Sequence, residues 1–258
     1  MAQPVTEDES RDRRYRGGTS LPGAKILRAK PPNGDLFLVD SVPVAFSALV
    51  EREAVAATAR GDGRFRMALS GGETARSCYE QLAASPTMPW RSVECFLGDE
   101  RCVPASDPAA NQRLVREVLL ERVGDLGAFH PMSCERPEEY ERLLGEQPAL
   151  DLVHLGLGPD GHTASLFPGS RGLDAPPGSL VVRNEDPTGT NPYARLSLTL
   201  SAISRFSLAL FTVAGPTKRQ ALARVLAGED LPAGRVKARR VIWLCDREAL
   251  ASTAGSLG

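Results

Sequence analysis

The stretch DLVHLGLGPDGHTASLFPGS, residues 151–170, decides how we interpret the fold. It opens with the apolar pattern of a buried strand and then turns through three glycines, a proline and an aspartate. His162 follows the turn directly, and Pro168 ends the segment early. Ligands of α/β sheets bind outside the carboxyl ends of the strands. A strand that ends in a glycine-rich corner with Asp160 and His162 therefore predicts a ligand site.

The composition is that of an ordinary globular enzyme. The chain has 258 residues, of which 42% are hydrophobic and 24% charged, and its net charge is −1. Such a balance gives no sign of a nucleic-acid partner. No apolar run approaches the roughly 20 residues of a membrane-spanning helix, and the N-terminus lacks the apolar region of a secretory signal. We therefore expect a cytoplasmic protein without nucleic-acid or membrane partners.

The cysteines and histidines argue against a metal site. Their positions are Cys78, Cys95, Cys102, Cys134, Cys245, His130, His154 and His162. The odd number of cysteines and the absence of a CxxC pair disfavour a zinc site or a disulfide framework. We expect reduced, mostly buried thiols, as in a cytosolic protein.

Strand and helix patterns alternate along most of the chain. Residues 1–23 are polar and without periodicity, which predicts a disordered tail, and residues 24–258 are predicted to form a single α/β domain. Strands are predicted at 35–39, 65–69, 93–98, 151–157, 179–183, 195–200, 206–214 and 241–245, the sixth of them half-exposed. Helices are predicted at 44–60, 111–123, 137–144 and 216–226, and after Thr74 and Asp246. This alternation favours a mainly parallel sheet with helices on both faces.

A second glycine loop follows the strand at 65–69. It reads Ser70-Gly71-Gly72-Glu73-Thr74 and leads into a helix. Glycines let the backbone approach a ligand, and the free N–H groups of a helix N-terminus favour an anion. The alternative is a plain turn in which Ser70 caps the helix. The loop alone does not distinguish the two.

Charged residues stand at other strand ends. Asp99, Glu100 and Arg101 follow the strand at 93–98, and three charges in a row favour a site over a solvated loop. Arg195 and Lys218 are either surface charges or, beside an anion loop, a phosphate clamp. Asp246, at the last strand's end, is a weaker candidate.

Residues 156–161 match the pattern GxGxxG, but we reject a dinucleotide site. That site needs a long helix after the turn and an acidic residue about 20 positions on. Here Pro168 and Gly169 stop the segment. His162 is then either a hydrogen-bonded core histidine or, in this corner, a general base that Asp160 orients. A serine nucleophile is disfavoured because no GxSxG motif is present.

Six segments together carry a resemblance to a known family. They are LSGGETARSCYEQL (69–82), FLGDERCVP (96–104), LGLGPDGHTASLFPG (155–169), RLSLTL (195–200), GPTKRQAL (215–222) and WLCD (243–246). Over about residues 36–250 the chain resembles the 6-phosphogluconolactonase family. The resemblance implies a Rossmann-like α/β fold shared with glucosamine-6-phosphate deaminase. It also implies hydrolysis of 6-phosphoglucono-δ-lactone in the pentose phosphate pathway, without metal or cofactor.

The resemblance also implies residue roles. His162 would be the general base, with Asp160 and Arg101 as the other catalytic residues, and Asp99 would line the sugar pocket beside Arg101. The phosphate would be held by Ser70, Gly71, Gly72, Thr74, Arg195 and Lys218. One departure is Glu73, where the family usually has a hydroxyl residue. Because a carboxylate repels phosphate, we expect Glu73 to point to solvent, or Thr74 to donate instead.

Two other functions stay open at this point. A deaminase-like isomerase shares the SGG loop and the DGH motif, but Phe167 stands where that family has a ring-opening glutamate. A non-catalytic sugar-phosphate sensor would keep the anion loop and lose the histidine, whereas His162 is present. We expect a sugar-phosphate lactone as the small-molecule partner and a monomer or weak dimer.

Overall fold

Two β-sheets organise the computed structural model, which describes residues 24–27 and 30–251. The tail predicted at 1–23 lies outside these residues. The strands are β1 (Lys25–Ile26), β2 (Asp35–Leu38), β3 (Phe65–Leu69), β4 (Val93–Leu97), β5 (Asp99–Arg101), β6 (Ala128–His130), β7 (Leu150–Gly156), β8 (Val181–Asn184), β9 (Arg195–Leu198), β10 (Phe206–Val213) and β11 (Arg240–Cys245). Eight of them, in the order β1-β2-β11-β10-β7-β3-β4-β6, form the main sheet, and β5-β9-β8 form the second.

The helices lie between the strands as the alternation predicted. They are α1 (Val42–Thr58), α2 (Glu73–Ala83), α3 (Asn111–Val115), α4 (Glu121–Val123), α5 (Pro137–Gly145), α6 (Leu200–Ser204), α7 (Arg219–Leu226), α8 (Pro232–Arg235) and α9 (Arg247–Leu250). A π-helical segment, Arg116–Leu120, joins α3 to α4, so the helix predicted at 111–123 is continuous but widened in its middle. Within the described ranges, no helix is long and apolar enough to span a membrane.

The main sheet is parallel except for β1, which pairs antiparallel with β2. Its central strands β7 and β10 are almost wholly buried, as expected for parallel strands covered on both faces. Helix α1 packs on β3, β7, β10 and β11. Trp243 and Phe211 stack between neighbouring strands with ring centroids 3.8 Å apart. The predicted mainly parallel α/β sheet is confirmed.

The side of the main sheet on which successive strands are added changes between β3 and β7. From β3 the chain proceeds to β4 and β6 on one side, and from β7 to β10 and β11 on the other. These two strands pair directly, with Met67 opposite Leu152 and Ala68 opposite Val153. In open α/β sheets this switch point is where ligands bind. Both glycine loops noted in the sequence follow these two strands.

The second sheet corrects two expectations. Residues 99–101, predicted as a charged strand end, are themselves the strand β5, which pairs antiparallel with β9. The strand predicted at 195–200 as half-exposed ends at Leu198 and is buried at all four positions. Its alternation is real, because Leu196 and Leu198 belong to the hydrophobic core. Its polar residues Arg195 and Ser197, however, are buried too, so the second face is not exposed to solvent.

The cysteine prediction is wrong in part. Cys102 and Cys134 form a disulfide with their Cα atoms 5.4 Å apart, whereas Cys78, Cys95 and Cys245 are free and buried as expected. An odd number of cysteines argues against a framework of several bridges, but it does not exclude one pair. The bond joins the residue after β5 to the loop before α5.

The disulfide is expected to stabilise the fold by restricting the unfolded chain. It closes a loop with a sequence separation of 32 residues. Loop-closure entropy then predicts that the Cys102→Ser/Cys134→Ser variant loses about 4 kcal/mol of unfolding free energy. Urea unfolding of oxidised protein measures this loss. Dithiothreitol should bring the wild type to the variant's midpoint and leave the variant unchanged; equal midpoints without reductant would contradict the prediction.

Candidate active site

A pocket of about 180 Å³ opens at the carboxyl ends of β3 and β7, at the switch point. All but one of the predicted site residues line it, namely Ser70, Gly71, Gly72, Thr74, Asp99, Arg101, His162, Arg195 and Lys218. Asp160 does not line the pocket but contacts His162. Residues far apart in the chain therefore meet in one place.

The loop after β3 presents a helix N-terminus to the pocket. Gly72 is the N-cap of α2, with φ 97° and no side-chain cap, so the idea that Ser70 caps this helix is wrong. A left-handed φ of this kind favours glycine. The first N–H groups of a helix have no intrahelical partner, and together with the helix dipole they favour an anion. Thr74, in this first turn, also lines the pocket.

Gly71 is required by a close approach of Asn111, which the sequence pattern indicates only as the start of a helix. A Cβ atom on Gly71 would lie 1.8 Å from the Asn111 Oδ1. The Asn111 Nδ2 donates to the Asp99 carbonyl at 2.8 Å and to its carboxylate at 3.2 Å. Asn111 thus connects the anion loop to β5. Nothing in the local sequence signals this contact, because it depends on tertiary packing.

Glu73 lines the pocket, but its side chain is largely exposed to solvent, as expected. Its side chain is 87% exposed, and its carboxylate lies 3.9 Å from the Arg76 Nε. A charge in this position is largely screened by solvent. It therefore does not block an anion at the neighbouring N–H groups.

Asp160 is the carboxylate that orients His162. Its Oδ1 lies 2.6 Å from the His162 Nδ1 and also accepts the His162 backbone N–H at 3.1 Å. Burial alone would raise the pKa of Asp160, but the hydrogen bonds and charge attraction of His162 outweigh it, and the pKa is lowered. A carboxylate at Nδ1 keeps the proton there, so Nε2 carries the free lone pair.

The His162 ring is fixed by packing as well. A Cβ atom on Gly158 would lie 2.1 Å from the His162 Nδ1, so only glycine leaves room for the ring. The Phe167 ring lies on another side, with centroids 4.8 Å apart. Three of the corner's residues thus set one orientation of the imidazole.

Asp99 is not the hydrogen-bond partner of His162. Its carboxylate interacts with Ser165 and with Arg195 of the second sheet instead. Its carboxylate accepts from the Ser165 Oγ at 2.5 Å and lies 3.8 Å from the Arg195 Nη1. Arg195 is buried, which lowers its pKa, while the charge of Asp99 opposes this. Asp99 therefore holds Arg195 at the pocket wall, and Arg195 is not a surface charge.

Two more cations reach the pocket. Burial lowers the pKa of Lys218, and the charge of Asp160 opposes this shift. Arg101 donates from Nη1 to the Ala109 carbonyl, and its buried Nε has no partner in the part of the chain described. Asp246, the weaker candidate, instead caps α9 and accepts the Gly215 N–H at 2.9 Å.

No three His, Cys, Asp or Glu side chains are grouped to hold a metal ion within residues 24–27 and 30–251. The features found are a glycine loop at a helix N-terminus, cations around it and a histidine oriented by a carboxylate. They define an α/β protein with a pocket at the switch point of its sheet, where a helix N-terminus and nearby cations favour an anion.

The chain belongs to the family of glucosamine-6-phosphate isomerases and 6-phosphogluconolactonases, whose model matches residues 41–243. A 6-phosphogluconolactonase of Synechocystis sp. is 37% identical over 227 residues, which are 78% of this chain and 92% of the relative. One of Nostoc sp. is 38% identical over 208 residues, covering 72% and 84%. The crystal structure of a 6-phosphogluconolactonase from Shewanella baltica superposes with a TM-score of 0.72 at 26% identity, covering 81% of this chain and 97% of that one.

Proposed function

We propose that this chain hydrolyses 6-phospho-D-glucono-1,5-lactone to 6-phospho-D-gluconate, the lactonase step of the oxidative pentose phosphate pathway. The relatives named 6-phosphogluconolactonase support the reaction. The observation that carries the mechanism is the 2.6 Å contact between Asp160 and His162 at the pocket. It leaves the imidazole with one basic nitrogen and a neighbouring negative charge.

The proposed chemistry needs one proton carrier. The His162 Nε2 takes a proton from water as the water oxygen bonds to the lactone carbonyl carbon. The charge of Asp160 stabilises the imidazolium that results. The tetrahedral intermediate then collapses, the ring C–O bond breaks, and His162 returns the proton to the departing oxygen. The histidine ends the cycle unchanged.

The remaining pocket residues would hold the phosphorylated end of the substrate. The backbone of Gly71 and Gly72 and the first turn of α2 supply N–H donors for a dianion. Lys218 and Arg195 add positive charge, and partial burial strengthens their attraction to phosphate. Arg101, the last residue of β5, lines the same cavity and would contact the sugar part of the substrate.

Phe167 separates this proposal from the isomerase alternative. The isomerase needs an acid at this position to open a sugar ring, whereas Phe167 is apolar and 1% exposed. A lactone has no hemiacetal ring to open and needs only an activated water. Acid release from freshly made lactone tests the proposal, with ammonia release from glucosamine 6-phosphate measured in parallel. A faster deamination than hydrolysis would overturn it.

We further propose that the protein acts in the cytoplasm as a single-domain monomer or weak dimer. Within the described residues the large hydrophobic side chains that are exposed are Val44, Val55 and Tyr193, too few for an extensive apolar interface. Light scattering tests the assembly. The Cys102–Cys134 bond is instead typical of an oxidising compartment, so cell fractionation tests the location.

A further inference from the structure

Ser70, the first residue of the anion loop, has all its polar groups bonded inside the protein. Its N–H donates to the Tyr79 hydroxyl at 2.8 Å, and its carbonyl accepts from that hydroxyl at 3.0 Å. Its own hydroxyl donates to the His154 carbonyl at 2.6 Å. Ser70 therefore has no donor left for a ligand, although it lines the pocket. Its structural role is to fix the position of the first residue of the loop.

A series of hydrogen-bonded, buried side chains continues from the Tyr79 hydroxyl. The Tyr79 hydroxyl lies 2.7 Å from the His154 Nδ1, and the His154 Nε2 lies 2.8 Å from the Thr212 Oγ1. The Tyr79 proton goes to the Ser70 carbonyl, which accepts only. His154 must then donate from Nδ1 to Tyr79 and accept from Thr212 at Nε2. This direction gives each of these groups a partner.

The three side chains are buried, although His154 and Thr212 are also among the residues that line the pocket. Tyr79 and His154 are fully buried, and Thr212 is 3% exposed. Burial lowers the pKa of His154 to about 3, so the ring stays neutral and the hydrogen-bond direction does not change near neutral pH. Phe46 packs on the ring with centroids 4.5 Å apart. A buried group that loses its partner finds no water to replace it.

The geometry of one peptide unit connects this series of hydrogen bonds to the ligand. The Ser70 carbonyl and the Gly71 N–H belong to the same planar trans peptide and point in opposite directions. Because Tyr79 binds the carbonyl on the buried side, the Gly71 N–H is directed to the opposite side, toward the pocket that Gly71 lines. A shift of the carbonyl would turn the donor away from the pocket.

We propose that Tyr79 and His154 are positioning residues for the ligand's phosphate, acting through Ser70 on the Gly71 N–H. This inference rests on the proposed function, because it assigns the phosphate of that substrate to this loop. It predicts a specific pattern: loss of the Tyr79 hydroxyl weakens phosphate binding more than it slows the chemical step.

Tyr79→Phe is the direct test. We expect KM for the phosphorylated lactone to rise about 10-fold, the size of one well-placed hydrogen bond to a charged group, while kcat changes less than about 3-fold. The Kd values of 6-phosphogluconate and of inorganic phosphate should rise by a similar factor. Calorimetry of these two ligands, which involves no turnover, measures the effect independently of catalysis.

Tyr140→Phe is the matched control. Like Tyr79, Tyr140 binds both backbone groups of one residue at a strand end: its hydroxyl accepts from the Leu97 N–H at 2.7 Å and donates to the Leu97 carbonyl at 2.9 Å. It is buried as well, so the variant should lose similar stability in urea unfolding. Because Tyr140 does not touch the anion loop, phosphate binding should stay within about 2-fold.

His154 supplies a second pair of variants in case Tyr79→Phe does not fold. His154→Asn keeps an N–H near the position of Nδ1 and should restore most of the phosphate affinity that His154→Leu loses. Unchanged phosphate binding in both Tyr79→Phe and His154→Leu, or an equal loss in Tyr140→Phe, would overturn the inference. Wild-type protein that binds phosphate but hydrolyses no lactone would refute the proposed function alone.

Discussion

Replacement of His162 by alanine is expected to lower kcat for lactone hydrolysis by about 1,000-fold, while the Kd of 6-phosphogluconate changes less than about 3-fold. The imidazole is the proposed carrier of the proton from water. The main-chain N–H groups proposed to bind the phosphate lie on the loop after β3 and do not depend on it. Titration of acid released from fresh lactone, corrected for the spontaneous reaction, measures kcat, and calorimetry measures Kd.

His130→Ala is the matched control for this prediction. His130 lies on the edge strand β6, stacked on Phe96 with ring centroids 4.5 Å apart, and does not line the pocket. Its removal should cost stability and leave kcat within about 2-fold. A His162→Ala variant that keeps more than a tenth of the wild-type kcat would refute the base role.

Replacement of Asp160 by asparagine is expected to lower kcat by about 100-fold with little change in Kd. The change is isosteric, so the ring keeps its place beside Gly158. What is lost is the negative charge that stabilises the imidazolium, and the amide can also present its N–H₂ group to Nδ1. That second arrangement would move the ring proton to Nε2, where it blocks the base.

The same variant has a pH signature in its stability. Because the pKa of Asp160 is lowered in the folded protein, its contribution to unfolding free energy is present above the usual aspartate pKa and disappears as the pH falls through the lowered value. The stability difference between wild type and Asp160→Asn should therefore shrink in acid. Asp125→Asn, which removes an exposed ion pair with Arg91, is the control for the effect of Asp160→Asn on kcat. An equal loss of kcat in both variants would contradict the assignment.

The positions of the two glycine loops could be predicted because each follows a buried strand directly. Local apolar runs define β3 and β7, and the strand-to-helix order places their ends on one edge. Those two observations suffice to predict that His162 lies near the SGG loop.

The contacts that set the loops' geometry could not be predicted. The Asn111 amide against Gly71 joins residues 40 positions apart, and Tyr79 under Ser70 resembles any apolar residue on the buried face of a helix. The burial of Arg195 follows from a second sheet, whose strand β5 has only three residues. Neither periodicity nor composition carries information about such pairings. They arise when separate elements pack.

The Cys102–Cys134 bond has a consequence for anyone who purifies this protein. Chain prepared in air and chain prepared with a thiol reductant are two chemical species that differ by two hydrogen atoms. The bond begins at the residue next to Arg101, a residue of the pocket wall. A sample of mixed oxidation state would therefore contain two covalent forms of the chain, and a rate measured on it would average over both. Intact mass or thiol titration belongs beside every kinetic constant.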